Sequence, residues 1–84
     1  MNVYYKLYIK RDCPYCDRAL KLLDKQGHDY IVNLMDHNEE LLSEVKKKYV
    51  WDTVPMIIEI SDKKGFHFIG GYTDLCEYLG EEID

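Results

Sequence analysis

Two strand-like runs separated by one helical run constrain this chain most. Residues 2–10, NVYYKLYIK, place Val3, Tyr5, Leu7 and Ile9 at alternate positions, the period of a strand with one buried face. From Pro14 the period changes. Cys16, Ala19, Leu20 and Leu23 fall at i, i+3, i+4 and i+7, which is one face of a helix. Pro14 suits a first helical turn, where its missing N–H costs nothing, and Gly27 suits the end of the helix near Gln26. A second run with a β-branched centre follows, HDYIVNL at 28–34. A connecting helix of about a dozen residues is what a parallel crossover needs, so the first two strands are expected to lie parallel.

The next segment, DHNEELLSEVKKKY at 36–49, carries glutamates at its front and lysines at its back, as a helix dipole favours. Asp36 and Asn38 are candidate caps, and Leu41, Leu42, Val45 and Tyr49 form the expected buried stripe. DTVPMIIEI at 52–60 reads as a strand with a proline at its entrance. SDKKG at 61–65 is a polar turn, and FHFIG at 66–70 an antiparallel partner. GYTDLCEYLGEEID at 71–84 closes with an amphipathic helix that buries Leu75 and Leu79. Without linker, repeat or low-complexity tract, residues 1–84 are expected to be a single α/β domain of order β-α-β-α-β-β-α. Helices on both faces of a mixed sheet are its natural packing.

Charge and hydropathy exclude several classes. The net charge is −5, which argues against a nucleic-acid partner, since such binders carry a basic face. The one basic cluster, Lys46, Lys47 and Lys48, ends a helix, where it complements the dipole. No apolar run reaches about 18 residues, so no membrane span is expected. The first ten residues alternate too regularly for a signal peptide, which points to a reducing, cytoplasmic location.

Cysteine placement then carries the chemistry. Cys13, Cys16 and Cys76 make an odd number, a poor disulfide framework. A structural zinc site wants four ligands, and Cys76, His28, His37 and His67 lack the spacing of a second arm, so no metal is expected. A disulfide spanning three residues closes too small a loop to stabilise much. A redox dithiol remains. Cys13 lies where a loop becomes a helix, and unpaired N–H groups there favour a thiolate. Lys10 and Arg11 add positive charge, which Asp12 and Asp17 oppose, and a lowered Cys13 pKa is expected. Cys16, one turn later on the apolar face, should be less exposed. Cys13 is therefore expected to attack and Cys16 to resolve. Cys76, beside Leu75, reads as a buried core thiol, a role in regulatory oxidation being the lesser alternative. The three histidines are assigned no chemistry.

CPYC at 13–16, TVP at 53–55 and GGYTD at 70–74, in this order and spacing over nearly the whole chain, resemble the dithiol glutaredoxins. The resemblance implies a thioredoxin-like fold, a four-stranded mixed sheet flanked by three helices, with a glutathione groove built from the three motifs. It implies that Lys10 faces the glycyl carboxylate and that Tyr15 lines the groove. Thr53, Val54 and Pro55 would follow, with Val54–Pro55 in the cis form and the Val54 backbone pairing with the cysteinyl residue. Gly71 would allow close approach and Tyr72 would form a wall. Thr73 and Asp74 would grip the γ-glutamyl end, a role compatible with capping. From the residues alone Pro55 is an ordinary strand-entry proline, the glycine pair a turn, Lys10 a solvated lysine and Tyr72 packing.

The activity so implied is glutathione-dependent thiol–disulfide exchange on protein disulfides and glutathione mixed disulfides, by a monomer. Ribonucleotide reductase is one partner that the resemblance implies. Two rival readings are a thioredoxin-like donor recharged by a thioredoxin reductase, which GGYTD disfavours, and an iron–sulfur carrier, which the rigid Pro14 disfavours. Two departures from the family pattern stand out. Asp12 directly precedes Cys13. Trp51–Asp52 precedes TVP, leaving only Lys47 or Lys48 for a second basic contact.

Overall fold

A computed structural model describes residues 2–83. Seven elements follow in the expected order: β1 Val3–Ile9, α1 Pro14–Lys25, β2 Asp29–Leu34, α2 Glu39–Tyr49, β3 Met56–Ser61, β4 Gly65–Gly70 and α3 Tyr72–Leu79. The strands form one mixed sheet ordered β2-β1-β3-β4. β1 pairs with β2 in parallel and with β3 antiparallel, and β3 pairs antiparallel with β4.

The alternation in β1 sends Tyr5, Leu7 and Ile9 to one face, where they join Ile57 under α1 and α3. Cys16, Ala19, Leu22 and Leu23 come down from α1, and Leu75 and Cys76 from α3. Tyr8, Met56 and Ile58 face the other way and meet Leu42 and Val45 of α2, with Met35 from the preceding loop. β3 is thus covered on both faces, which explains its unbroken run of buried residues from Met56 to Glu59. Each fully buried leucine or isoleucine here contributes about 1.5–3 kcal/mol. Replacing Leu23 with alanine, at the centre of the α1 side, should cost about 2–5 kcal/mol.

Several details differ from the sequence reading, among them Leu79 of α3, which is only partly buried. In α1 the buried stripe takes Leu22, while Leu20 is only partly covered. Leu41 is 43% exposed, and Leu42 and Val45 carry the contact of α2 instead. The caps also separate. Asn38 accepts the Leu41 N–H at 3.2 Å, whereas Asp36 accepts the Arg11 N–H at 2.9 Å and ties this loop to the segment before Cys13. β3 begins only after Pro55, since the preceding residues form the loop that carries the proline, and α3 ends at Leu79 rather than continuing toward residue 84.

All three helices close with the same pair of backbone bonds, a 6→1 bond and a 5→2 bond around a left-handed residue. His28 N–H reaches Leu23 C=O at 2.9 Å, Trp51 N–H reaches Lys46 C=O at 3.0 Å, and Glu81 N–H reaches Cys76 C=O at 2.8 Å. The left-handed residue is Gly27 in the first case (φ 73°) and Gly80 in the third (φ 72°), but Val50 in the second (φ 51°).

Candidate active site

Cys13 ends the loop after β1 and is the N-cap of α1, with extended backbone angles of φ −120° and ψ 98°. Its carbonyl accepts the first helical bond from Asp17 N–H at 3.1 Å. Its sulfur accepts the Cys16 N–H at 3.2 Å. An amide that would otherwise be an orphan of the helix start therefore points at this sulfur. Cys13 is partly exposed, while Cys16 is wholly buried against the α1–α3 core. The two are joined as a disulfide with Cα atoms 5.2 Å apart. Cys76 is free and buried, as expected of a core thiol.

Asp12 has a positive φ of 53°. Aspartate tolerates that region better than most residues, so this departure from the usual pattern has a conformational basis. The loop is held from the side by Lys10, whose ammonium lies 3.3 Å from Glu39 at the start of α2, and by the Arg11–Asp36 bond.

Beside Cys13 runs an open groove of about 330 Å³, lined by Tyr15, Trp51, Thr53, Val54, Pro55 and the first residues of α3 with Gly71. The Val54–Pro55 peptide is cis, and the Val54 carbonyl oxygen lies 3.9 Å from the Cys13 sulfur. Tyr15 and Tyr72 form one wall, their rings 6.1 Å apart, with the Arg18 guanidinium 5.3 Å above the Tyr15 ring. Trp51 also lines the groove, its ring edge-on to Phe68 at 5.4 Å. At the α3 end, Asp74 accepts the Gly71 N–H at 2.9 Å and so closes the helix start. Gly70 makes this possible. Its φ is 124°, and a Cβ there would sit 2.5 Å from the Asp74 carboxylate. The glycine pair thus makes room for Asp74 at Gly70, while a Cβ on Gly71 would meet only ordinary contacts.

The groove therefore brings together Tyr15, Thr53, Val54, Pro55, Gly71, Tyr72, Thr73 and Asp74, every groove residue named from sequence except Lys10. Lys10 is turned to Glu39 instead. Lys47 lines a neighbouring hollow, and Lys48 lies over the Tyr49 ring. Trp51 was not singled out as a groove residue. It sits in a loop with no periodicity, and its place next to TVP was the one signal available.

The glutaredoxin family model matches residues 5–63, well over half of the chain. The chain belongs to the glutaredoxin family. A curated glutaredoxin from Pseudomonas aeruginosa is 39% identical over 51 residues, which cover 61% of this chain and 61% of that protein. The chain thus matches a little under two thirds of that relative's length. The solution structure of a glutaredoxin from Brucella melitensis superposes with a TM-score of 0.71 at 29% identity, covering 92% of this chain and 80% of the other. The crystal structure of glutaredoxin 1 from Francisella tularensis, complexed with cacodylate, superposes with a TM-score of 0.75 at 22% identity and 94% coverage of both chains. These likenesses fit the thioredoxin-like architecture of the sheet and helices, as the motifs implied.

Proposed function

We propose that this glutaredoxin-family protein is a glutathione-dependent thiol–disulfide oxidoreductase that acts through Cys13 and Cys16. The observation that carries the reading is the position of the Cys13 sulfur. It receives a helix-start amide on one side and borders, on the other, a groove lined by all three sequence motifs.

In the reduced protein the amide that now meets the sulfur would favour the Cys13 thiolate. On a protein–glutathione mixed disulfide, that thiolate attacks the glutathione sulfur. A Cys13–glutathione disulfide forms, and the protein thiol leaves with a proton from solvent. A second glutathione attacks the bound one, releasing glutathione disulfide and restoring Cys13. On a protein disulfide, Cys13 first forms a mixed disulfide with the partner. Cys16 then displaces the partner dithiol and leaves the Cys13–Cys16 disulfide, which two glutathione molecules reduce. The groove supplies orientation. The Val54 backbone offers a short strand edge to the cysteinyl residue. The amides at the start of α3 suit the γ-glutamyl carboxylate, and Asp74 suits its ammonium. A reducing compartment such as the cytoplasm would supply the thiol.

The test is a glutathione-coupled assay on the mixed disulfide of glutathione and mercaptoethanol, alongside reduction of a protein disulfide. Cys16→Ser should keep the first activity and lose most of the second. Cys13→Ser should lose both. Equal loss of the two activities in Cys16→Ser would overturn the assignment of attacker and resolver.

A further inference from the structure

The loop from α2 to β3 breaks two local rules side by side. Of the three equivalent helix ends, only this one places a β-branched residue in the left-handed region, where glycine stands at the other two. Val50 is also 88% exposed, so no burial compensates for the backbone. Next to it, the Trp51 indole N–H is buried and finds no acceptor among the described residues. A fold selected for stability alone has no use for either feature, and such outliers concentrate where a surface is used.

The surroundings say for what. Ser43, Lys46, Lys47, Val50, Trp51 and Asp52 line a hollow of about 420 Å³. Trp51 is common to this hollow and to the groove beside Cys13, so the two adjoin at one residue. Lys10 and Lys25 are engaged with Glu39 and Glu81. Lys46 and Lys47 have no ion-pair partner among the described residues, and Asp52 is the one acid in the lining. The hollow thus offers two free cations around an exposed aliphatic side chain, in a chain whose net charge is −5.

We propose that this ledge docks the protein part of the substrate, and that it fits an acidic segment carrying an aliphatic side chain next to the disulfide-bonded cysteine. The proposal rests on the glutathione reading above, in which the tripeptide half of a mixed disulfide fills the groove and leaves the partner chain to run past Trp51. Lys46 and Lys47 meet the acidic side chains, and Val50 with the Trp51 ring meets the aliphatic one. Contacts of this rim type set partner choice and capture rate more than total affinity.

The test uses three glutathionylated cysteine peptides that share a leucine beside the cysteine and differ only in having aspartates, asparagines or lysines as flanking residues. The mercaptoethanol–glutathione disulfide serves as the small reference. At low salt kcat/KM should fall in the order aspartate, asparagine, lysine, with about three- to tenfold between the extremes, as two exposed charge contacts allow. Added salt should compress the series. Lys46→Gln, which removes one of the two cations and leaves Lys47 in place, should compress it. Val50→Gly should lower kcat/KM for all three peptides by about two- to fivefold, a loss on the scale of part of one exposed aliphatic contact, even though it relieves the backbone. Turnover of the small disulfide should stay within about twofold in every variant, within the usual scatter of surface substitutions. If wild type turns over the small disulfide but shows no charge order among the peptides, this inference falls and the glutathione reading stands. The inference is equally overturned if Val50→Gly slows the small disulfide as much as the peptides. Failure of wild type on every glutathione disulfide would remove both.

Discussion

Replacing Val50 with glycine should make the protein more stable, although it deletes an apolar side chain. The residue closes α2 at φ 51°, with Val50 N–H on Lys47 C=O at 3.3 Å and Trp51 N–H on Lys46 C=O at 3.0 Å. A side chain with a Cβ in this region costs about 1–2 kcal/mol. Glycine removes that cost but loses about 0.5–1 kcal/mol through the greater freedom of the unfolded chain. Lost burial is a minor charge against it, because Val50 is 88% exposed. The net is a gain of about 0.5–1 kcal/mol, which for a domain of this size corresponds to a rise in Tm of about 2–8 °C. Circular dichroism melts and urea titrations of wild type, Val50→Gly and Val50→Ala would measure it. Alanine removes almost the same atoms yet keeps the Cβ, so it should stay within about 0.5 kcal/mol of wild type. The urea m-value should not change, because the same surface is exposed on unfolding. A glycine variant no more stable than the alanine variant would refute the assignment of the cost to the backbone.

Gly70→Ala should act in the opposite sense, and at the groove. Its Cβ would lie 2.5 Å from the Asp74 carboxylate at a φ of 124°, so either the carboxylate leaves the Gly71 N–H or the strand end shifts. A loss of about 1–3 kcal/mol in stability is expected, with a raised KM for the small glutathione disulfide. An unchanged KM would show that Asp74 does not act on the tripeptide. At alkaline pH the Tyr5–Glu59–Tyr78 cluster should govern stability. Tyr5 donates to Glu59 at 3.1 Å and Tyr78 donates at 2.7 Å. The Tyr5 hydroxyl is pushed up from 10.0, first by burial and then by the Glu59 charge, and Tyr78 is raised mainly by its bond to Glu59. Both folded values lie above the unfolded one, so this contribution is fully present below pH 10 and is lost as the pH rises past it. The slope should approach about 1.4 kcal/mol per pH unit for buried Tyr5, while the more exposed Tyr78 adds less because solvent screens its bond to Glu59. Urea titrations between neutral pH and pH 11 would read it, and a flat profile would contradict the cluster's role.

What the sequence could reveal follows from where each signal lives. β1 declares itself because Val3, Tyr5, Leu7 and Ile9 alternate and the face they define is the one covered by α1 and α3. The site motifs are legible because each holds its chemistry within a few residues, and the fold needs only to bring three loops to one end of the sheet. The phase of α2 is less legible. Leu41 and Leu42 are adjacent and equally apolar, and only the position of the sheet behind them decides that Leu42 is covered. Met35 belongs to that core but lies in a loop, outside any periodic run. Glu59 was hidden for the opposite reason. A carboxylate in a central strand looks like a solvent-facing residue until Tyr5, directly across in the β1–β3 register, and Tyr78 from α3 are seen to supply its donors. Val50 was the least readable of all. A helix end is recognised by the glycine that makes it easy, and here the bonds of that helix end form without one. Local rules cannot flag a residue that breaks them. Only the finished backbone reveals the exception, and it falls next to Trp51, where the groove beside Cys13 adjoins the hollow.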